Sequence, residues 1–298
     1  MILVAGSANL DFVVRAPHIP APGETVLGGE FRTFPGGKGA NQAIACARAG
    51  NMSTTMLLAL GDDAFAVPIE QSLQSAGVRT HVIRVAEQAT GTAFIVVSDD
   101  AENAITVAPG ANNALRAAHL PPLSGFTHLL LQLETPLETV VAYARAARSR
   151  GVKVVLNAAP ARSLPHDLLS LLDVLVVNEG ELASVAGRQG TIAQCLERVD
   201  VPCVVVTLGS EGCCARTAGE VTTAQGFKVE PIDTTAAGDT FCGVLVAGLA
   251  KNLDLREALR QANAAGALAC TRRGAQESIP THAEVQAFLR NSSMTRTP

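Results

Sequence analysis

Asp239 is the acidic residue whose surroundings are best suited to chemistry. It follows three small residues, Ala236, Ala237 and Gly238, and a clear apolar helix pattern follows it. The first N–H groups of a helix have no partner within it and, together with the helix dipole, they favour an anion. A carboxylate here can take a proton from a hydroxyl or simply cap the helix. Because the small residues leave room for a phosphate, we favour the first interpretation.

A lysine among glycines is the second group that could do chemistry. The stretch "FPGGKGANQA" places Gly36 and Gly37 before Lys38 and Gly39 after it, at the start of a helical pattern. Glycine weakens regular structure by about 1 kcal/mol, so the cluster predicts a tight turn or a ligand close to bare backbone. The flanking glycines favour ligand contact over a solvated lysine. A P-loop is excluded, because Gly39 stands where Ser or Thr should follow the lysine.

The elements that position these motifs are predicted by short, uninterrupted runs of Val, Ile and Leu. "MILVAG", "VKVVLN" and "DVLVVNE" are typical of strands buried on both faces, and helical segments separate them. The series predicts an α/β domain over residues 1–298, with a mostly parallel central sheet and helices on both faces. Residues 12–35 and 91–107 do not follow this alternation of strands and helices. We expect them to form a small projecting sheet that acts as a lid over a site.

Polar residues follow several of the buried runs. In open parallel sheets ligands bind beyond the carboxyl ends of the strands, so the set indicates a binding site. For any single member, a strand end that returns to water explains the residue equally well. The set comprises Asn9, Asp11, Gln132, Glu134, Asn157, Asn178, Glu181 and Thr207.

Composition excludes several classes of protein. The net charge is −4, aromatic residues are 3% and Trp is absent, which argues against nucleic acid as a partner. The first residues lack a secretory pattern, and no apolar stretch approaches a membrane span. Seven cysteines without an export signal predict a cytoplasmic protein. A Rossmann dehydrogenase loses its main support, because there is no Gly-x-Gly-x-x-Gly.

The motifs together resemble those of the ribokinase-like carbohydrate kinase family. "GGKGANQA" and "DTTAAGDTFCG" have the order and spacing of the family's two signatures. "GSANLD", "APGETV", "LNAAPAR", "TLGSEG" and "RRGAQESIP" extend the resemblance over essentially the whole chain. The resemblance implies ATP-dependent phosphorylation of the 5-hydroxyl of ribose.

The resemblance also implies how the reacting groups are divided. It makes Asp239 the base that takes the hydroxyl proton, and it gives Gly238, with Ala236 and Ala237, the N–H donors to the transferring phosphoryl group. The sugar contacts that it implies are Asn9, Asp11, Gly37, Lys38, Gly39, Ala40, Asn41, Glu134 and Asp239.

Nucleotide and magnesium contacts are implied in the same way. Glu211 stands where related kinases often have a basic residue, so we interpret it as an ordinary loop residue without a phosphate contact. Asn263 could lie beside adenine or could be a polar residue of the core. Mg²⁺ would be held through water near Glu181, which fits equally well as a first-turn acid of a helix. The implied ATP contacts are Asn178, Thr207, Leu208, Gly209, Ser210, Glu211, Gly212, Gly238 and Asn263.

A monovalent cation site, for activating K⁺, is the last implied feature. Its neutral oxygens and single carboxylate suit a large, weakly hydrated ion better than Mg²⁺. The alternative is that Asp233 only caps its turn. The implied ligands are Asp233, Ser278 and the backbone carbonyls of Thr235, Ala269, Arg272 and Gly274.

Other functions remain open at this point. Within the family, the sugar could be deoxyribose, fructose, adenosine or pseudouridine. A sugar-binding sensor without catalysis is disfavoured, because neither the base nor the anion turn is missing. The expected partners are a small-molecule sugar and ATP, without nucleic acid or membrane, and the family's lid sheet implies a homodimer.

Overall fold

A computed structural model describes residues 1–100 and 102–294. Position 101 of the predicted 91–107 region and positions 295–298 of the predicted domain lie outside the described residues. The strands are β1 (Ile2–Ala5), β2 (Asn9–Ala16), β3 (Phe31–Gly36), β4 (Thr54–Gly61), β5 (Arg79–Val85), β6 (Gly91–Ser98), β7 (Asn103–Ala108), β8 (His128–Leu131), β9 (Lys153–Asn157), β10 (Val174–Asn178), β11 (Cys203–Thr207), β12 (Gly212–Thr217) and β13 (Glu220–Gln225). The helices are α1 (Lys38–Ile44), continued by a π-helical turn (Ala45–Ala49), α2 (Ala66–Ser75), α3 (Leu137–Ser149), α4 (His166–Leu169), α5 (Glu179–Ala186), α6 (Ile192–Leu196), α7 (Ala237–Ala250), α8 (Leu255–Cys270) and α9 (His282–Met294).

The larger sheet is the mostly parallel sheet that the apolar runs predict. Across the described residues its strand order is β13-β12-β11-β10-β9-β8-β1-β4-β5. Only β12 and β13 run antiparallel to their neighbours. Along β1, Ile2 and Val4 join one buried apolar cluster, while Leu3 and Ala5 join another on the opposite face. Helices cover both faces, which explains why the strands are apolar without alternation.

The smaller sheet has the order β3-β2-β6-β7. β6 and β7 form the hairpin expected within 91–107, and β2 pairs with both β3 and β6. The first of the two predicted lid regions, 12–35, begins earlier than expected, because β2 starts at Asn9. Asn9 and Asp11 therefore lie on a strand of the small sheet rather than at the end of the first strand of the large one. Two positions apart on a strand, they share one face.

Helix α7 packs unusually closely against α1 and the π-helical turn. A Cβ on Gly243 would lie 2.5 Å from the Cβ of Ala45 and 2.6 Å from the carbonyl oxygen of Gln42. The thiol of Cys46 donates to the Gly243 carbonyl at 3.3 Å. Only glycine permits this approach, which brings the predicted base on α7 next to the lysine motif on α1.

Candidate active site

Asp239 lies buried in the first turn of α7. The N-cap residue is Ala236, in a left-handed conformation with φ 59°, so Asp239 is not the cap. Its Oδ2 accepts a hydrogen bond from Nδ2 of Asn41, and its Oδ1 accepts one from Nε2 of Gln42, both at 2.9 Å. The capping interpretation does not hold, because the carboxylate is turned toward α1.

The small residues before Asp239 leave open space on one side. The N–H of Ala237 donates to the Thr234 carbonyl at 3.2 Å and is therefore already paired. Gly238 is exposed, and nothing lies within 4 Å of the position that a Cβ would take there. The open side of the turn at Gly238 can thus admit a bulky anion.

A cavity of about 240 Å³ joins the lysine motif to the base. Its lining includes Lys38, Asn178, Glu181, Gly238 and Asp239. The negative charge of Asp239 is the main cause that raises the pKa of Lys38, although burial acts in the opposite direction. The lysine is therefore a charged group facing the predicted phosphoryl path.

Glu134 is fixed by two distant segments of the chain. Its Oε2 accepts hydrogen bonds from the hydroxyl of Ser7 at 2.5 Å and from the backbone N–H of Lys38 at 3.0 Å. The backbone N–H of Gly39 donates in turn to Oγ of Ser7 at 3.3 Å. The sequence interpretation did not single out Ser7, which ties Glu134 to the glycine-lysine turn.

Asp11 lies in a crowded, poorly hydrated position. Burial, followed by the charges of Glu134 and Asp239, raises its pKa from 3.8 to about 7. A Cβ on Gly36 would lie 2.1 Å from Oδ2 of Asp11, so a side chain at position 36 would displace this carboxyl. Nearby, Oδ1 of Asn9 accepts from Nδ2 of Asn112 at 2.8 Å.

The glycines of the lysine motif make room for other parts of the protein. Gly37 has φ 88°, and a Cβ there would lie 2.7 Å from the Cα of Ala8. On Gly39 a Cβ would lie 2.6 Å from the nitrogen of Ser7, and the N–H of Ala40 donates to the Ser7 carbonyl at 2.9 Å. The missing side chains thus allow close packing on residues 6–9, and backbone contact with a sugar stays a prediction.

A larger cavity of about 830 Å³ adjoins the first, and Thr207, Thr234 and Gly238 line both. Leu208 does not line the larger cavity, although Thr207 and Gly209 on either side of it do. Its side chain packs instead against one of the two buried apolar clusters of the larger sheet. The amide of Asn263 donates to the carbonyls of Ala224 and Gln225, so its nitrogen is already paired within the protein. Of the expected nucleotide contacts, the lining contains Thr207, Gly209, Ser210, Glu211, Gly212, Gly238 and Asn263.

Asn178 and Glu181 form a reciprocal cap at the start of α5. The side chain of each accepts the backbone N–H of the other at 2.8 Å. Glu181 also lines the smaller cavity, and burial raises its pKa. No group of three His, Cys, Asp or Glu that could hold a metal occurs among the described residues. One carboxylate beside a phosphate-sized space fits Mg²⁺ held mainly by phosphates and water.

Asp233 links the two loops expected to hold a monovalent cation. Its Oδ1 accepts the N–H of Thr235 at 2.9 Å, so it does cap its turn, and its Oδ2 accepts the N–H of Gly274 at 3.0 Å. Two of the other expected ligands also have partners: the Ser278 hydroxyl donates to the carbonyl of Ala275, and the Ala269 carbonyl accepts from the N–H of Arg272. Carbonyl and carboxylate oxygens keep further lone pairs, so this set still fits a weakly hydrated cation.

Several residues of the site were not predicted by any motif. Gln42 lies within the quoted lysine motif, and a second amide directly after Asn41, at the start of the apolar run 43–46, was the signal that could have identified it. The residues after β13 carried no such signal, because their types are ordinary for a core or a loop. The additional lining residues of the larger cavity include Phe227, Lys228, Val229, Pro231, Phe241, Gly266, Ala267 and Cys270.

Comparison with known proteins finds similar chains over nearly the whole length of this one. The family model described as pfkB family carbohydrate kinase matches residues 1–282. The ribokinase of Haemophilus influenzae is 39% identical over 303 residues, covering 98% of this chain and 99% of the relative. The crystal structure of a Thermotoga maritima ribokinase has a TM-score of 0.89 at 36% identity, covering 97% of this chain and 99% of that one. An Arabidopsis thaliana ribokinase complexed with ribose and ATP has a TM-score of 0.88 at 31% identity, covering 97% and 98%.

Proposed function

The chain belongs to the pfkB family of carbohydrate kinases, and we propose that it transfers the γ-phosphoryl group of ATP to the 5-hydroxyl of D-ribose. The products are ribose 5-phosphate and ADP. The observation that carries the proposal is the meeting of Lys38, Asp239 and the open turn at Gly238 in one cavity, which adjoins a larger cavity of about 830 Å³. The ribokinases that match over nearly the whole chain support the same reaction.

Asp239 takes the proton as the 5-hydroxyl oxygen attacks the γ-phosphorus, and the bond to the ADP oxygen breaks. General-base help of this kind is worth about 10²- to 10⁴-fold. Phosphoryl transfer depends mostly on positioning and charge stabilisation, so Lys38 and the N–H groups around Gly238 supply the larger contribution. Glu181 would hold Mg²⁺ through water, and the bound ion would supply neutralisation of phosphate charge.

The polar groups on the sugar side suit a polyhydroxylated sugar. Asn9, Asp11, Lys38 and Glu134 offer a mixture of donors and acceptors in a largely buried position. A sugar that lacks a matching hydroxyl leaves one of these groups unpaired, at a cost of about 1 to 3 kcal/mol. We therefore expect ribose to be used better than deoxyribose, fructose, adenosine or pseudouridine.

A coupled assay of ADP release with each of these acceptors tests the function directly. Ribose should give the highest kcat/KM, and mass analysis should find the phosphate on its 5-oxygen. ADP release that is equally slow with and without every acceptor would contradict a sugar kinase. Preference for another acceptor would keep the kinase and overturn the assignment of ribose.

We propose potassium as an activator of this kinase. Asp233 joins Thr235 to Gly274 just before the anion turn, so a cation among these carbonyls would hold the turn at Gly238 in place. Replacing potassium by tetramethylammonium at constant ionic strength should lower activity, and Asp233→Ala should abolish the difference. Equal activity in both salts would contradict the proposal.

We also propose a cytoplasmic homodimer that pairs through the small sheets. Phe31 and Phe94 share one face of this sheet and expose 60% and 53% of their surface, which favours a protein partner. The seven cysteines are free, and a reducing compartment keeps thiols in this state. None of the helices in the described part of the chain has the length and apolar character that a membrane crossing requires. Sedimentation of Phe94→Ser as a monomer would support the pairing, and an unchanged dimer would contradict it.

A further inference from the structure

The side-chain amide of Gln42 makes three hydrogen bonds beside the base. Its Nε2 lies 2.9 Å from Oδ1 of Asp239 and 2.9 Å from Oδ1 of Asn157. Its Oε1 accepts from Nε2 of Gln132 at 2.7 Å. Gln42 is fully buried and lines neither cavity, so any effect on substrate must pass through its neighbours.

A backbone carbonyl determines which end of each side-chain amide, oxygen or NH₂, faces its neighbour. Nδ2 of Asn157 donates to the carbonyl of Val176 at 3.2 Å, and a carbonyl can only accept. The Oδ1 of Asn157 must therefore face Gln42, which has to present its NH₂ group there. If the Gln42 amide were flipped, its oxygen would face two acceptor oxygens and its nitrogen would face the Gln132 donor.

We infer that Gln42 is a positioning residue that fixes the carboxylate of Asp239 for proton transfer. With Oδ2 held by Asn41 and Oδ1 held by Gln42, the plane of the carboxylate is set from two sides. Each oxygen keeps a further lone pair for the sugar hydroxyl. The inference rests on the proposed function, because it assigns Gln42 a role in that reaction.

Two variants of similar size remove the donor. Gln42→Leu and Gln42→Met both delete the amide, and neither places a second carboxyl beside Asp239. Displacement of a reacting group by about 1 Å can cost about 10²-fold, so kcat should fall by about 10- to 100-fold in both. The KM for ATP should stay within about twofold, which separates a lost catalytic orientation from a damaged nucleotide cavity.

Gln132→Leu supplies a second, independent test. Gln132 touches Gln42 and not Asp239, so this change should cause a smaller loss of kcat. The double variant with Gln42→Leu should be no slower than Gln42→Leu alone, since the two residues act through one chain of hydrogen bonds. If the double variant lost as much kcat as the product of the two single losses, Gln132 would act independently of Gln42. That result would overturn the positioning of Asp239 through this chain of hydrogen bonds.

A matched control corrects for damage to the fold. Thr139→Val removes a buried hydroxyl bond to the Leu115 carbonyl, at 2.8 Å, on the opposite face of the sheet. Turnover is divided by the number of chains that bind ATP, so that unfolded protein is not counted. This value should be normal for Thr139→Val and reduced for the Gln42 variants. A Gln42→Leu enzyme within twofold of the unmodified chain would overturn this inference alone. An unmodified chain that leaves ribose unphosphorylated would overturn the proposed function as well.

Discussion

Asp11 and Lys38 respond in opposite ways to the same two carboxylates of the site. The charges of Asp239 and Glu134 favour the charged form of Lys38, whereas the same two charges disfavour ionisation of Asp11. Like charges in a buried space cannot all be ionised cheaply. Burial, followed by these two charges, raises the pKa of Asp11 to about 7, so this carboxyl keeps its proton up to near-neutral pH.

The first prediction concerns this proton. Because the pKa of Asp11 is raised to about 7, the group is protonated below that pH and becomes an ionised acceptor above it. An ionised acceptor binds sugar hydroxyls more strongly than a neutral one. The KM for ribose should fall as the pH rises from about 6 to 8, in initial-rate measurements at saturating ATP.

Asp11→Asn is the matched control for that pH dependence. The amide keeps the shape and cannot ionise, so the slope of KM against pH should disappear while KM itself rises. A variant that keeps the slope would assign it to another group. A flat profile in the unmodified enzyme would show that Asp11 does not titrate in this range.

The second prediction concerns the base. Asp239→Asn keeps the volume of the side chain and removes its capacity to take a proton, so kcat should fall by about 10²-fold or more. ATP affinity, measured by calorimetry without sugar, should change little. Asp254 provides the control, because it caps α8 by accepting the N–H of Glu257 at 3.0 Å. Asp254→Asn should leave kcat unchanged; similar losses in both variants would contradict the assignment.

At the scale of elements, the site depends on how closely two helices approach. α1 supplies Asn41 and Gln42, α7 supplies Asp239, and Gly243 lies where α7 meets the π-helical turn. A side chain at Gly243 would press on backbone, which cannot move aside as a flexible side chain can. The spacing of the two helices is therefore set by this glycine.

Gly243→Ala should disturb both stability and catalysis. The added methyl group would meet the Gln42 carbonyl and Ala45, and overpacking of this kind costs about 1 to 3 kcal/mol. We expect a lower free energy of unfolding in urea titration and a reduced kcat. Gly180→Ala is the matched helical change, since its nearest contact would be an ordinary 3.5 Å, and it should not destabilise the protein. Equal stabilities of the two variants would contradict the argument.

The sequence predicted the layers of this fold better than the contacts of its site. Runs such as "VKVVLN" indicate buried parallel strands because burial on both faces leaves a local signature. The position of Asn9 on the small sheet was missed, since β1 ends after only four residues and nothing local marks where the chain changes sheets. The Gln42–Asp239 contact joins positions 197 residues apart, a distance over which periodicity carries no information.

At the scale of the whole molecule, the strands of the small sheet meet the larger body along one edge. Asn9 pairs with both Gly36 and Gly91, and the neighbouring Thr92 pairs with Ala108. All four strands therefore begin or end in one row where the chain passes between the sheets. A row of crossings of this kind can act as a hinge.

The fourth prediction is closure of the small sheet about this row. In the proposed reaction ribose lies between Asp11 on the small sheet and Lys38 on the body, so its binding should draw the two together and exclude water. Small-angle scattering should show a smaller radius of gyration with ribose than without it. Asp11→Ala should weaken the change. Identical scattering curves with and without saturating ribose would contradict a moving lid.

The Asn41–Asp239 hydrogen bond spans 198 positions of the chain, and this spacing has a consequence for biosynthesis. A ribosome delivers the predicted sugar-binding turn early and the predicted base only after β13 has been made. A nascent chain that stops before α7 contains Lys38 and Asn41 but lacks Asp239 and the helix against which α1 packs. The proposed site can therefore form only in chains whose synthesis has passed α7.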